Sequence, residues 1–233
     1  MDKVIKVAAG LLLVILVVFI GQGWYSNYVE QKYRNTLEST YSYTCTISTN
    51  EDLTNVTFII PVPTNGTGDS QITERYSDRQ ISGLPSDWTT TLLSSNKGTM
   101  IKITAPVLTR SSTTLTLNVP VKGPINTKSP LATGVLYRPI LDLKNTKCPA
   151  TAGSGASCYQ YTSSVYATYD SSPGAQVSIR TIISGKNEWN IFGPASNAYS
   201  NSISVSITGE HRRWIETRAE IETGIGSYDV PEI

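Results

Sequence analysis

Two hydrophobic periodicities divide the chain. Residues 7–20, VAAGLLLVILVVFI, are unbroken apolar sequence, and no charged residue occurs between Lys6 and Glu30. Beyond Tyr41, apolar residues recur at every second position in short runs rich in Thr and Ser. An unbroken run marks a helix in an apolar medium, and alternation marks a half-buried strand. The pattern predicts one hydrophobic helix joined to one large β domain.

A bilayer core about 30 Å thick takes roughly 20 apolar residues. Residues 7–24 reach roughly 27 Å at the helical rise, and Lys6 can snorkel at one end while Trp24 and Tyr25 suit the interfacial belt at the other. A transmembrane helix over 7–24 is therefore expected, with residues 1–6 as a tip. Lys3 and Lys6 precede it, and Glu30, Lys32 and Arg34 follow it with mixed sign. The positive-inside rule then puts the N-terminus in the cytoplasm and the bulk outside. A cleaved signal peptide competes, and would leave a secreted protein, although the only small-x-small triplet directly after the apolar run, Gly21-Gln22-Gly23, is followed by bulky Trp24.

Residues 25–40 keep helical spacing. Tyr25, Tyr28, Val29, Tyr33 and Leu37 recur every three to four positions, which predicts an amphipathic stalk whose apolar stripe packs on the β domain. From Tyr41 the period becomes two. Tyr41, Tyr43, Cys45 and Ile47 form one inward set; Val56, Phe58, Ile60 and Val62 form the next, where Pro61 and Pro63 suggest an edge strand. Residues 64–98 are turn-rich, with a short strand near Thr89. Further inward sets are Ile101, Ile103 and Ala105, then Leu115, Leu117, Val119 and Val121. A long loop follows over 122–132, and a strand over 135–143 is broken near Pro139. Tyr161, Val165, Ala167 and Tyr169 make another set, as do Val177, Ile179, Thr181 and Ile183, and Ile203, Val205 and Ile207.

The last element, 211–223, has a helix-forming composition but alternates like a strand. Ile215, Thr217, Ala219, Ile221 and Thr223 take one face; Trp214, Glu216, Arg218, Glu220 and Glu222 take the other. Many short alternating strands with frequent turns predict an all-β fold, an antiparallel β-sandwich of immunoglobulin-like or jelly-roll-like type over 41–233. The Gly/Ser-rich loop at 149–157 is the one candidate division within it.

Composition sharpens this picture. Nineteen basic against 18 acidic residues give a net charge of +1, which offers nucleic acid no basic face. Of three cysteines, Cys148 and Cys158 bracket a loop that cannot pack itself, so a disulfide is expected there and a buried thiol at Cys45. Asn55-Val56-Thr57 and Asn65-Gly66-Thr67 are glycosylation sequons consistent with an external location.

Chemistry is sparse. The single histidine, His211, has no nucleophile motif to serve. With one His and no CxxC, no zinc site can be built, and no phosphate-cradling or dinucleotide glycine pattern occurs. Glu220 and Glu222 stand about 7 Å apart by strand rise, a spacing glycosidase carboxylates use, but a solvated charge ladder accounts for them. No catalytic, cofactor-binding or metal-binding residue is assigned, and the chain is not expected to be an enzyme.

What remains is an aromatic among charges. Trp214 shares its outward face with Glu216, Arg218 and Glu220, and an exposed indole forgoes burial worth about 2 kcal/mol. These four are the candidate partner-binding residues. Either the stalk helix covers Trp214, or a partner does. The expected role is that of a membrane-anchored surface protein with a structural, adhesive or binding function in the envelope. Its partners would be the lipid bilayer through residues 7–24, a second envelope protein or further copies of itself, and surface glycans. The layout is similar to that of archaeal stator and envelope proteins with an N-terminal helix and a β-sandwich. It also resembles type IV pilins and their relatives, in which a leader ending at Gly10 would free the apolar helix to form a filament core. At the fifth mature position, where pilins usually carry Glu, this chain has Ile15. A carbohydrate-binding or carbohydrate-active ectodomain is the further alternative.

Overall fold

The computed structural model describes residues 2–78, 80–153 and 155–228. A single helix, α1 (Asp2–Thr36), leads into β1 (Glu38–Thr49), β2 (Leu53–Pro61) and β3 (Pro63–Thr64). Then come α2 (Gln71–Ser77), β4 (Thr89–Ser95), β5 (Gly98–Leu108), β6 (Ser112–Val121), α3 (Pro130–Thr133), β7 (Leu136–Tyr137) and β8 (Leu141–Thr146). Four long strands close the chain: β9 (Ser157–Asp170), β10 (Gln176–Asn190), β11 (Pro194–Thr208) and β12 (His211–Gly226).

Ten strands make one antiparallel sheet in the order β4-β5-β2-β9-β12-β11-β10-β1-β6, with β8 alongside β9; β3 and β7 form a separate pair. A flat sheet of this width would leave one apolar face wet. It curls instead. The two edge strands β4 and β6 both touch α2. Next to α2, Ser82 bridges to Thr116 of β6. The fold is thus sandwich-like, with the inward sets of all the long strands meeting in one core that includes Tyr43, Cys45, Phe58, Ile101, Leu115, Val165, Ile179 and Ile203. The disulfide loop does not interrupt the sheet: β9 and β12, which follow it, lie between β2 and β11.

Period-two reading succeeds wherever a strand is long. In β10, Val177, Ile179, Thr181, Ile183, Gly185, Asn187 and Trp189 alternate inward without a break. Gly185 is obligatory here. A Cβ would sit 2.4 Å from the Tyr199 ring and 3.0 Å from both Tyr41 and Ile125, so this bare position makes room for two tyrosines and a loop residue.

Four local readings are corrected. The helix ends at Thr36 and β1 begins at Glu38, so the stalk is shorter than residues 25–40. Strand β2 is not an edge; it pairs with β5 and β9, and Pro61 marks where the chain leaves the sheet for the interior. The strand expected over 135–143 is two, β7 and β8, separated at Arg138–Pro139. Within 64–98 lies α2, capped reciprocally by Ser70 and Thr73, with Ile72 and Tyr76 one turn apart and buried. A Thr in the place of the usual Glu or Gln hid that capping box.

The interior carries more than apolar side chains. The segment around β7 crosses inside the curl, where two-residue β3 alone pairs with it, and the rest of its buried backbone needs partners. Side chains supply them. Asn201 Oδ1 accepts from the Tyr137 N–H at 2.9 Å, and the Tyr199 hydroxyl donates to the Val135 carbonyl at 2.7 Å. The Tyr161 hydroxyl donates to the Tyr137 carbonyl at 3.0 Å, and the Tyr137 hydroxyl meets Thr181 Oγ1 at 2.5 Å. The long loop before α3 is held the same way. Asn187 accepts from the Ile125 N–H and donates to the Ile125 carbonyl, each at 2.8 Å.

Candidate partner surface

Alternation along β12 places its side chains as the sequence implied. Ala219, Ile221 and Thr223 are buried, Ile215 and Thr217 are half-buried, and Trp214, Glu216, Arg218 and Glu220 are exposed on the other face. Strand β9 lies beside them, with Tyr166 opposite Trp214, Ser164 opposite Glu216, Thr162 opposite Arg218 and Gln160 opposite Glu220. On the far side of β9, Ile59 of β2 is opposite Tyr166. The outer face therefore carries an apolar row, Ile59–Tyr166–Trp214, beside a charged one.

Trp214 is 39 % exposed, and contacts within the chain explain why it is not more so. The Tyr166 ring meets it edge-on at 5.5 Å, and Lys97 Nζ stands 5.2 Å from its ring centroid. Lys97 belongs to the tight turn joining β4 to β5. That turn lies on the chain at Arg138: a Cβ on Gly98 would come within 2.0 Å of the Arg138 carbonyl, and Gly98 holds a φ of +96°. An aromatic pair contributes about 0.5–1.5 kcal/mol and an exposed cation–π contact about 0.5–1 kcal/mol. Together they offset much of the cost of leaving the indole at the surface. No sequence pattern linked Lys97 to Trp214, because the contact depends on how the turn folds over.

The stalk covers a different tryptophan. Val29 is buried where α1 meets the domain, Tyr33 packs edge-on against Trp189 at 5.6 Å, and the Asn190 N–H donates to Thr36 Oγ1 at 3.0 Å. The apolar stripe expected on the stalk is present, but it docks on the end of β10 rather than over Trp214.

South of Trp214, a shallow groove runs between β8, β9 and β12, lined by Asp142, Lys144, Gln160, Thr162, Glu216 and Arg218. Gln160 Nε2 donates to its cross-strand neighbour Glu220 at 3.3 Å. Among the described residues, the ion pairs of β12 belong to Arg212, with Asp170 at 2.7 Å and Glu210 at 2.9 Å. Asn55 and Arg212 together hold the Asp170 carboxyl below the usual carboxylate range.

The other predicted residues fall elsewhere. Cys148 and Cys158 are bonded, with Cα atoms 5.2 Å apart, and Cys45 is a buried thiol that burial pushes up to about 12. Asn55 donates its Nδ2, the atom a glycan would take, to Asp170 at 2.7 Å. Asn65 is half-buried, and its Oδ1 accepts from the Thr67 N–H at 3.0 Å and the Asp69 N–H at 3.1 Å. His211 is half-buried at the start of β12; burial, and then the charge of Arg213, lower its pKa. Among the described residues its Nε2 has no hydrogen-bond partner, and no group of three or more potential metal ligands assembles.

Residues 5–36 of α1 are long and apolar enough to cross a membrane, and their most apolar stretch is wholly uncovered by the domain. No protein-family profile, curated protein or solved structure matches the chain. A β-rich domain carrying an N-terminal apolar helix and a disulfide fits a membrane-anchored β protein.

Proposed function

We propose that this protein is a non-catalytic, membrane-anchored surface protein, with its N-terminus in the cytoplasm and its β domain outside, that holds, spaces or binds another envelope component. The observation that carries this reading is the junction between anchor and domain. Helix α1 runs unbroken from the apolar run to Thr36, Val29 is buried, and Tyr33 and Thr36 dock on Trp189 and Asn190 without a flexible linker. A domain fused in this way transmits position and load from the bilayer, which a tethered catalytic or capture domain does not need. The face expected to meet the partner is that of Trp214, Glu216, Arg218 and Glu220, where a single aromatic can carry much of an interface's affinity. Cross-linking in intact membranes with Trp214→Ala tests it: the partner or oligomer adduct should fall while the denaturation midpoint changes little. A large loss of stability, or an unchanged adduct, would contradict the assignment.

The bare helix favours a second reading. Residues such as Leu12, Leu13 and Phe19 are 64 %, 64 % and 71 % exposed, and copies of the same helix can cover them as well as lipid can. A filament subunit would show sheared surface fibres and a mature start near Leu11.

A further inference from the structure

Phe192 lies at the tip of the turn joining β10 to β11 and is 71 % exposed. A turn tip ordinarily carries small polar residues; this one reads Asn190-Ile191-Phe192-Gly193-Pro194. Its position is fixed by three contacts with α1: Thr36 with Asn190 and Tyr33 with Trp189 near the helix end, and, nearer the apolar run, Tyr25 with Phe192, whose rings stack at 6.2 Å and 10°. The hairpin therefore lies antiparallel to the helix and points back toward its apolar segment. Tyr25 is about 16 Å below Thr36 along the helix axis. It immediately follows Trp24, which is 80 % exposed. Phe192 is thus held at the level where the apolar run ends and the aromatic residues suited to a membrane interface begin.

We propose that the β10–β11 tip is a second membrane-contacting element, with Ile191 and Phe192 seated in the headgroup–acyl boundary beside Trp24 and Tyr25. The inference rests on the anchor reading of α1. Aromatic rings favour this layer because they are apolar and polarisable, whereas the acyl interior and bulk water each suit them less well. The exposed tip carries no charge, so the contact is with the interface itself and not with one headgroup. Two contacts, helix and tip, fix the tilt of the domain on the bilayer, which one helix alone cannot do.

The test uses the full chain in phosphatidylcholine vesicles with a nitroxide at Gly193→Cys, which leaves Phe192 in place. A Cβ at Gly193 meets nothing within 4 Å, so the substitution is tolerated. Cys45 is buried and the other two cysteines are bonded, so the label goes to the new thiol. Val14→Cys reports whether α1 is inserted, and Glu210→Cys reports the opposite, solvent-facing end of the strands. The proposal expects the Gly193 label to be relaxed more by dissolved oxygen than by a water-soluble nickel chelate, and Phe192→Ser to reverse that ratio. Chelate access equal to that at Glu210, with Val14 oxygen-rich, overturns the tip contact and leaves the anchor intact. Shielding from both relaxants overturns it in favour of a protein neighbour. A chelate-accessible Val14 removes the anchor and the tip contact together.

Discussion

Asn187 tests the way the interior is built. Its side chain is 2 % exposed on the inward face of β10. Oδ1 accepts from Ser39 Oγ and the Ile125 N–H, each at 2.8 Å, and Nδ2 donates to the Ile125 carbonyl and to Asn197 Oδ1, each at 2.8 Å. Replacement by Ala would orphan the Ser39 hydroxyl and both backbone groups of Ile125. Asn197 Oδ1 would keep the hydrogen bond from Thr127 Oγ1 at 2.8 Å. Each buried group left without a partner costs about 1–3 kcal/mol. Water entering the vacated space would satisfy part of that, so the lower end applies, about 3 kcal/mol for the site. Against a total of about 5–15 kcal/mol this is a large fraction. Urea denaturation of the full chain in detergent, followed by tryptophan fluorescence, should show the midpoint falling by about 1.5 M at a slope near 2 kcal/mol/M. Trp189, two residues along the same strand, is the natural reporter. Asn187→Asp keeps the acceptors but loses the donor and buries a charge, and should be no better than Ala. A loss under about 1 kcal/mol for Ala would refute the argument that this side chain substitutes for a missing strand in holding the loop.

Burial pushes the hydroxyl pKa of Tyr43, Tyr76 and Tyr137 well above the ordinary 10.0, and those of Tyr161 and Tyr199 also rise. The folded state keeps these protons where the unfolded state releases them. The tyrosines therefore cost no stability below about pH 10 and about 1.4 kcal/mol per pH unit each above it, while the Cys45 thiol begins the decline from about pH 9; urea midpoints flat through pH 11.5 would contradict the burial. The Cys45 thiol should resist a disulfide reagent until the protein unfolds, and reduction of the Cys148–Cys158 bond should lower the urea midpoint by an amount worth somewhat under 3 kcal/mol. His211→Ala should leave any measured activity unchanged, because the ring has no described nucleophile or acid bonded to it; abolition of a hydrolytic activity with the fold intact would reverse the non-catalytic assignment.

The long strands were legible because a two-residue period assigns each side chain to a face. In β1, β10 and β12 the faces could be read residue by residue, and with them the outward placement of Trp214. The segments that plug the curl were not legible, since the stretches around α2 and before β8 send in side chains such as Ile72, Tyr76, Ile125 and Tyr137 without any sustained period. A signal was nonetheless present. Thr181, Asn187 and Asn201 sit in the inward phase of β10 and β11, where an apolar residue is the default; the two asparagines serve a backbone that arrives from elsewhere in the chain, and Thr181 meets the hydroxyl of Tyr137 on that same segment. Inward polar residues in a clean alternation point to an unseen neighbour. For the candidate surface, spacing gave the face but not Lys97, which reaches Trp214 across a distance that no local pattern encodes.

The central claim is that the apolar helix stays joined to the β domain and holds it at the membrane. Mass spectrometry of the chain retained after alkaline washing of native membranes tests this most directly. The account predicts that the retained chain carries a peptide spanning residues 7–24 in covalent continuity with the stalk and β1. A chain beginning near Trp24, or a domain released into the wash, would contradict it; a start near Leu11 would transfer the helix to a filament core.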